Sequence, residues 1–121
     1  MAPYFGSCHC GLVRFRIDAE PDVKTVCNCS ICTKKNAVMV GVHESELVVL
    51  SGAEHLSTYQ FNTMTAEHHF CDRCGVYTFH RKRSDPSTFG INVFCLAGFD
   101  VAAIPTRHAD GTAMSIAAGD G

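Results

Sequence analysis

Eight cysteines stand in a chain of 121 residues. Seven of them fall into three tight groups: Cys8 with Cys10, Cys27 with Cys29 and Cys32, and Cys71 with Cys74. Short loops of this kind can deliver two sulfurs to one ion. Zinc, borderline soft and without a geometric preference of its own, selects such thiolates in a tetrahedron. The clustered cysteines therefore read as metal ligands. Gly11 and Gly75 follow the second cysteine of the first and last groups. A metal knuckle turns the backbone so that amides point at sulfur, and the residue after the second ligand often needs the positive φ that glycine adopts cheaply. The simplest partition joins Cys8, Cys10, Cys71 and Cys74 in one closed, structural zinc site. That site would staple the first strand to a distant hairpin and contribute folding free energy directly.

Cys27, Cys29 and Cys32 then remain, and Cys32 is followed by Thr33 rather than glycine. Three thiolates leave the fourth zinc position open to water or an incoming thiol, the mark that separates catalytic from structural sites. A fourth protein ligand, from His68, His69, His43 or Cys95, would instead close this site and make it structural. A disulfide framework fits poorly with a start that carries no secretory pattern, and Cys71-Asp72-Arg73-Cys74 lacks the βαβ surroundings of a thioredoxin pair. Cys95, in an apolar segment, reads as a small buried hydrophobe. The seven histidines form no motif, and in a strand His68 and His69 would point to opposite faces. His43, Glu44, His69 and His80 are unranked proton carriers.

Composition narrows the class. A 46% hydrophobic chain of this length suits one globular domain spanning residues 1–121. Its Gly/Ala-rich end, 112–121, is expected to fray or to pack on another subunit. Net charge is −2, and nothing longer than the Arg81–Arg83 cluster concentrates positive charge, so nucleic acid is not an expected partner. No segment has the length or apolarity of a membrane span, and a reducing, cytoplasmic setting is expected.

The elements that must position these residues are short strands. Val13, Phe15 and Ile17 alternate with Arg14 and Arg16, the period of a half-buried strand over 11–17. Segments 23–26, 37–43, 46–50, 56–61, 67–70, 76–80 and 89–96 are similarly short and rich in β-branched or aromatic residues. Turn signals separate them, and 29–35 can form a single helical turn. The chain reads as nearly all β.

Three ordered motifs carry a resemblance: Gly6-Ser7-Cys8-His9-Cys10-Gly11, Cys27-Asn28-Cys29-Ser30-Ile31-Cys32, and Phe70-Cys71-Asp72-Arg73-Cys74-Gly75. Together they resemble the glutathione-dependent formaldehyde-activating enzyme family, or S-(hydroxymethyl)glutathione synthases, which includes centromere protein V. Ser51-Gly52, Tyr59, Phe61, Asn92-Val93, Leu96 and Pro105-Thr106-Arg107-His108 extend the likeness over residues 6–111. The resemblance implies a β-tent fold of antiparallel sheets stapled by a structural zinc at Cys8, Cys10, Cys71 and Cys74. It implies a second, catalytic zinc at Cys27, Cys29 and Cys32. The implied activity is that of a carbon–sulfur lyase acting on a small thiol such as glutathione and a small carbonyl compound. Lys34, Lys35 and Arg73 flank the clusters and are candidates to read the carboxylates of the thiol. The rival reading is a non-catalytic zinc module that binds a protein or a thiol ligand.

Overall fold

The computed structural model describes residues 2–61 and 64–110; the segment 112–121, expected to fray, lies outside them. Among the described residues the chain is mostly β, with ten short strands and one short helix. In chain order the strands are β1 (Tyr4–Ser7), β2 (Arg14–Ile17), β3 (Lys24–Cys27), β4 (Met39–His43) and β5 (Leu47–Ser51). Then come β6 (Leu56–Tyr59), β7 (Glu67–Cys71), β8 (Tyr77–Arg81), β9 (Thr88–Asn92) and β10 (Thr106–Ala109). A helix α1 (Ser30–Lys35) follows β3. No described helix is long and apolar enough to cross a membrane.

The strands form two sheets, one of order β1-β2-β5 and one of order β10-β3-β4-β9-β8-β7-β6. Pairing is antiparallel throughout except at one edge, where β10 runs parallel to β3 with Thr106 opposite Lys24. The expected β-rich architecture of antiparallel sheets is thus present, with this single parallel pair added at its edge. A parallel pair needs a long crossover, and here the whole intervening chain provides it. Lys24 anchors the return by donating from Nζ to the carbonyls of Val101 and Ile104, at 2.8 and 2.6 Å.

The alternation at residues 13–17 is realised in full: Val13, Phe15 and Ile17 are each completely buried. Phe15, on the small sheet, meets Phe79 of β8 edge-on at 5.3 Å, and Phe79 meets Phe89 of β9 at 5.8 Å. The core thus lies between the sheets, and aromatic edges hold it beyond simple area burial. Strand β1 was not legible, because Gly6 weakens its propensity. Glycine is required there: a Cβ at Gly6 would lie 2.4 Å from the Phe15 ring.

Phe15→Ala should lower unfolding free energy by about 3–5 kcal/mol in urea titrations, through lost burial and a residual cavity. Phe94→Ala, at a residue 67% exposed, should change it by less than about 0.5 kcal/mol.

Candidate functional site

The connection after β1 and the turn between β7 and β8 bring Cys8, Cys10, Cys71 and Cys74 together, with all four sulfurs within 4.8 Å of one another. Cys10 lies 3.6 Å from Cys8 and 3.7 Å from Cys71. Four sulfurs bound to zinc at about 2.3 Å stand about 3.8 Å apart along each tetrahedral edge, so the quartet fits such an ion. Both loops are built alike. The Cys8 amide donates to the Val13 carbonyl and the Cys71 amide to that of Val76, each at 3.1 Å. Amides of Val13 and Arg73 donate to the sulfurs of Cys8 and Cys71, each at 3.4 Å. Gly11 and Gly75 adopt φ of 81° and 76°, as the sequence expectation required. Crowding polarises the thiols. Although the Leu12 amide favours its thiolate, burial and the neighbouring sulfurs push Cys10 up to about 11. Cys74, against the effect of burial, is drawn down to about 6 by amide hydrogen bonds from Cys10 and Val76. Four sulfurs at these distances could hold one metal ion among them.

Cys27 ends β3, Cys29 caps α1 and Cys32 lies within it; their sulfurs form a second group within 4.8 Å. The helix starts here because the Cys29 side chain accepts the Cys32 amide at 3.4 Å, the role a serine or aspartate cap usually fills. It ends at Asn36, whose left-handed φ of 56° closes the last turn. A hydrogen bond from the Cys32 thiol, opposed by burial and aided by amides, lowers Cys29 to about 5. That same bond, then burial, pushes Cys32 far up. Among the described residues the group stops at three. His43 Nδ1 is engaged by Ser45 at 2.8 Å, His69 Nδ1 by Thr58 at 2.9 Å, and the Cys95 thiol donates to the Tyr77 carbonyl at 3.6 Å. All eight cysteines are free of disulfides.

The three-cysteine group opens on a cavity of about 430 Å³, also lined by His68, His80, Lys82, Arg83 and Arg107. Lys82 is lowered by burial and then by the charge of Arg107, with Asp85 opposing. Like charges held this close on a cavity wall favour an anionic occupant. Among the described residues none of these three cations makes an ion pair within 4 Å. Lys34 and Arg73 are exposed and do not line the cavity, and Lys35 is turned inward against Tyr77 and His68. The cationic wall therefore comes from other residues than the sequence suggested. Its signal was present in the Arg81–Arg83 run. Alternation along β8 and just beyond sends Arg81 to Glu67 at 3.3 Å and leaves Lys82 on the cavity side.

Of the unranked proton carriers only His80 lines the cavity, joined by His68, which the sequence offered only as a ligand. Their rings stack at 5.2 Å, with Phe61 next to His68 at 5.8 Å. Burial keeps His80 well below the ordinary imidazole value, and burial with the charge of Lys35 lowers His68 to about 4.

Comparison with known proteins follows the same residues. The profile of the family described as glutathione-dependent formaldehyde-activating enzyme matches residues 3–109. A Halomonas elongata protein, provisionally named a glutathione-dependent formaldehyde-activating enzyme, is 41% identical over 78 residues. That match covers 57% of this chain and 50% of the relative, so the chain spans about half the relative's length. A crystal structure of a Rhodobacter sphaeroides protein superposes with a TM-score of 0.76 at 39% identity, covering 85% of this chain and 99% of that one.

An imidazole whose folded value lies below its unfolded value loses protons on folding, so His68 should stay neutral as pH falls through 6.5. Its ring resonances should titrate with a midpoint near pH 4 in proton NMR.

Proposed function

The chain belongs to the glutathione-dependent formaldehyde-activating enzyme family, and from that premise we propose that it joins a small thiol, glutathione foremost, to formaldehyde as a zinc-dependent carbon–sulfur lyase-type enzyme. The observation that carries this reading is a group of sulfurs that, among the described residues, numbers three, opening on a cavity of about 430 Å³ whose wall carries Lys82, Arg83 and Arg107 as well as Asp110. In this reading Cys8, Cys10, Cys71 and Cys74 hold a structural ion, and Cys27, Cys29 and Cys32 hold the catalytic one, within a single domain spanning the 121 residues. Zinc bound there would supply a seat that keeps an incoming thiol ionised near neutral pH.

The chain's own residues do the rest. Three protein thiolates offset the ion's charge, which suits delivery of a thiolate more than strong polarisation of a carbonyl. Lys82, Arg83 and Arg107 would take the carboxylates of the thiol, orienting it so that its sulfur faces the cysteine group. Met39 and Phe61 line the same cavity and displace water from around the small electrophile. Free cysteines throughout suit a reducing cytoplasm.

Zinc-loaded protein should accelerate exchange between glutathione and formaldehyde in NMR saturation-transfer spectra; no acceleration across several thiols would remove the activity. Lys82→Gln and Arg107→Gln should each raise KM for glutathione about tenfold, one lost charge-assisted contact, and leave KM for 2-mercaptoethanol unchanged.

Native mass spectrometry should count two zinc ions per chain. Cys29→Ser should lose the more easily chelated ion and keep the circular dichroism of the parent, whereas Cys74→Ser should unfold. Equal unfolding by both would show that the two clusters do not divide their labour in this way.

A further inference from the structure

Lys35 and His68 make a contact that neither cysteine cluster requires. Lys35 Nζ stands 3.0 Å from His68 Nδ1 and 3.6 Å from the centroid of the Tyr77 ring. Burial lowers Lys35 to about 8, but its seat over the face of the Tyr77 ring is that of a cation, so it is read as an ammonium. An ammonium carries three protons and no lone pair and can only donate. His68 Nδ1 is then the acceptor, and the neutral ring carries its proton on Nε2.

The plane of the ring is fixed as well. His68 is stacked between Phe61 at 5.8 Å and His80 at 5.2 Å. His80 is itself held, with Nδ1 2.6 Å from the Tyr77 hydroxyl. Its ring fills the space over Gly90, where a Cβ would lie 2.4 Å from His80 Cε1. His68 is only 6% exposed and lines the cavity shared with Cys27, Cys29 and Cys32. Among the described residues, Nδ1 has Lys35 as its hydrogen-bond partner and Nε2 has none. A buried N–H without an acceptor is costly, and the cavity is where an acceptor can be supplied.

We infer that His68 donates its Nε2–H to the oxygen of the electrophile in the cavity, and that Lys35 is the positioning residue that fixes the tautomer. This rests on the reaction proposed above. As the thiolate sulfur bonds to carbon, the π pair of C=O moves onto oxygen, and the Nε2–H aims at that growing charge without giving up its proton. The proton released by the thiol returns to the oxygen through water in the open cavity, so the sum is thiol plus aldehyde to hydroxymethyl thioether. Such a preoriented donor is worth most when it costs no reorganisation at the moment of reaction.

Nitrogen-15 spectra of the zinc-loaded protein test the tautomer without reference to turnover. They should show His68 Nδ1 bare and Nε2 protonated, and Lys35→Met should convert this to a mixture of tautomers. His68→Phe, which keeps the stack, should lower kcat about 10²–10³-fold with KM for the thiol changed less than about threefold. His68→Gln, which returns an N–H near the Nε2 position, should recover at least about tenfold of that loss. An active parent with Nδ1 protonated, or a His68→Phe kcat within threefold of the parent, overturns this inference alone. A parent inactive towards every thiol overturns both it and the reaction on which it rests.

Discussion

Four sulfurs within 4.8 Å of one another are the constraint from which the rest of the molecule takes its shape. They come from the edge of one sheet and the tip of a hairpin in the other, and Cys8, Cys71 and Val13 lie buried where the two meet. Phe15 and Phe79 continue that contact into the core. Cys10 and Cys71 are 61 positions apart, and a cross-link closing a loop of that order removes about 4 kcal/mol of unfolded-state entropy in the chain-entropy account. For a domain of this size that is a large share of the whole stability. An ion held by these four sulfurs would therefore also hold the sheets in register.

With the sheets fixed, the cavity acquires a division of charge that its parts could not have alone. Cys29, drawn down to about 5, supplies negative charge, Lys82, Arg83 and Arg107 supply positive charge, and two imidazoles held neutral by burial line the same space. A charged His68 would face Lys35 at 3.0 Å, and a charged His80 would add a second cation to the stack. Neutral rings let hydrogen-bond direction, rather than net charge, specify what binds there.

Much of this was legible where the cause is local. Cysteine spacing and the glycines after Cys10 and Cys74 report backbone turns that form within a few residues, and both glycines have positive φ. The alternation from Val13 to Ile17 reports a strand face, and those residues are buried. The single turn at 29–35 appears as α1. What escaped depends on pairing between distant segments. Lys82 reaches the cavity because β8 lies beside β9, and Arg107 because β10 lies parallel to β3. His68 and His80 are opposite each other in the β7–β8 register, a partnership no single segment announces. Lys34, Lys35 and Arg73 looked apt because they adjoin the cysteines in sequence, but adjacency to a ligand does not fix the direction of a long side chain.

The two cysteine groups differ in a way that bears on what each can be used for. The quartet draws its members from segments far apart in the chain, so it cannot assemble until the sheets meet, and the free energy of closing it is coupled to the fold. The trio lies within six residues, 27–32, and its geometry is set by a strand end and one capped helical turn. Closing so short a loop restrains the unfolded chain little, so an ion there would add little to the fold. A group that contributes little to stability could leave a coordination position open without endangering the architecture, and these three sulfurs lie on a cavity. On the proposed reading, local ligands with an open position and distant ligands with none are two consequences of one rule about loop closure.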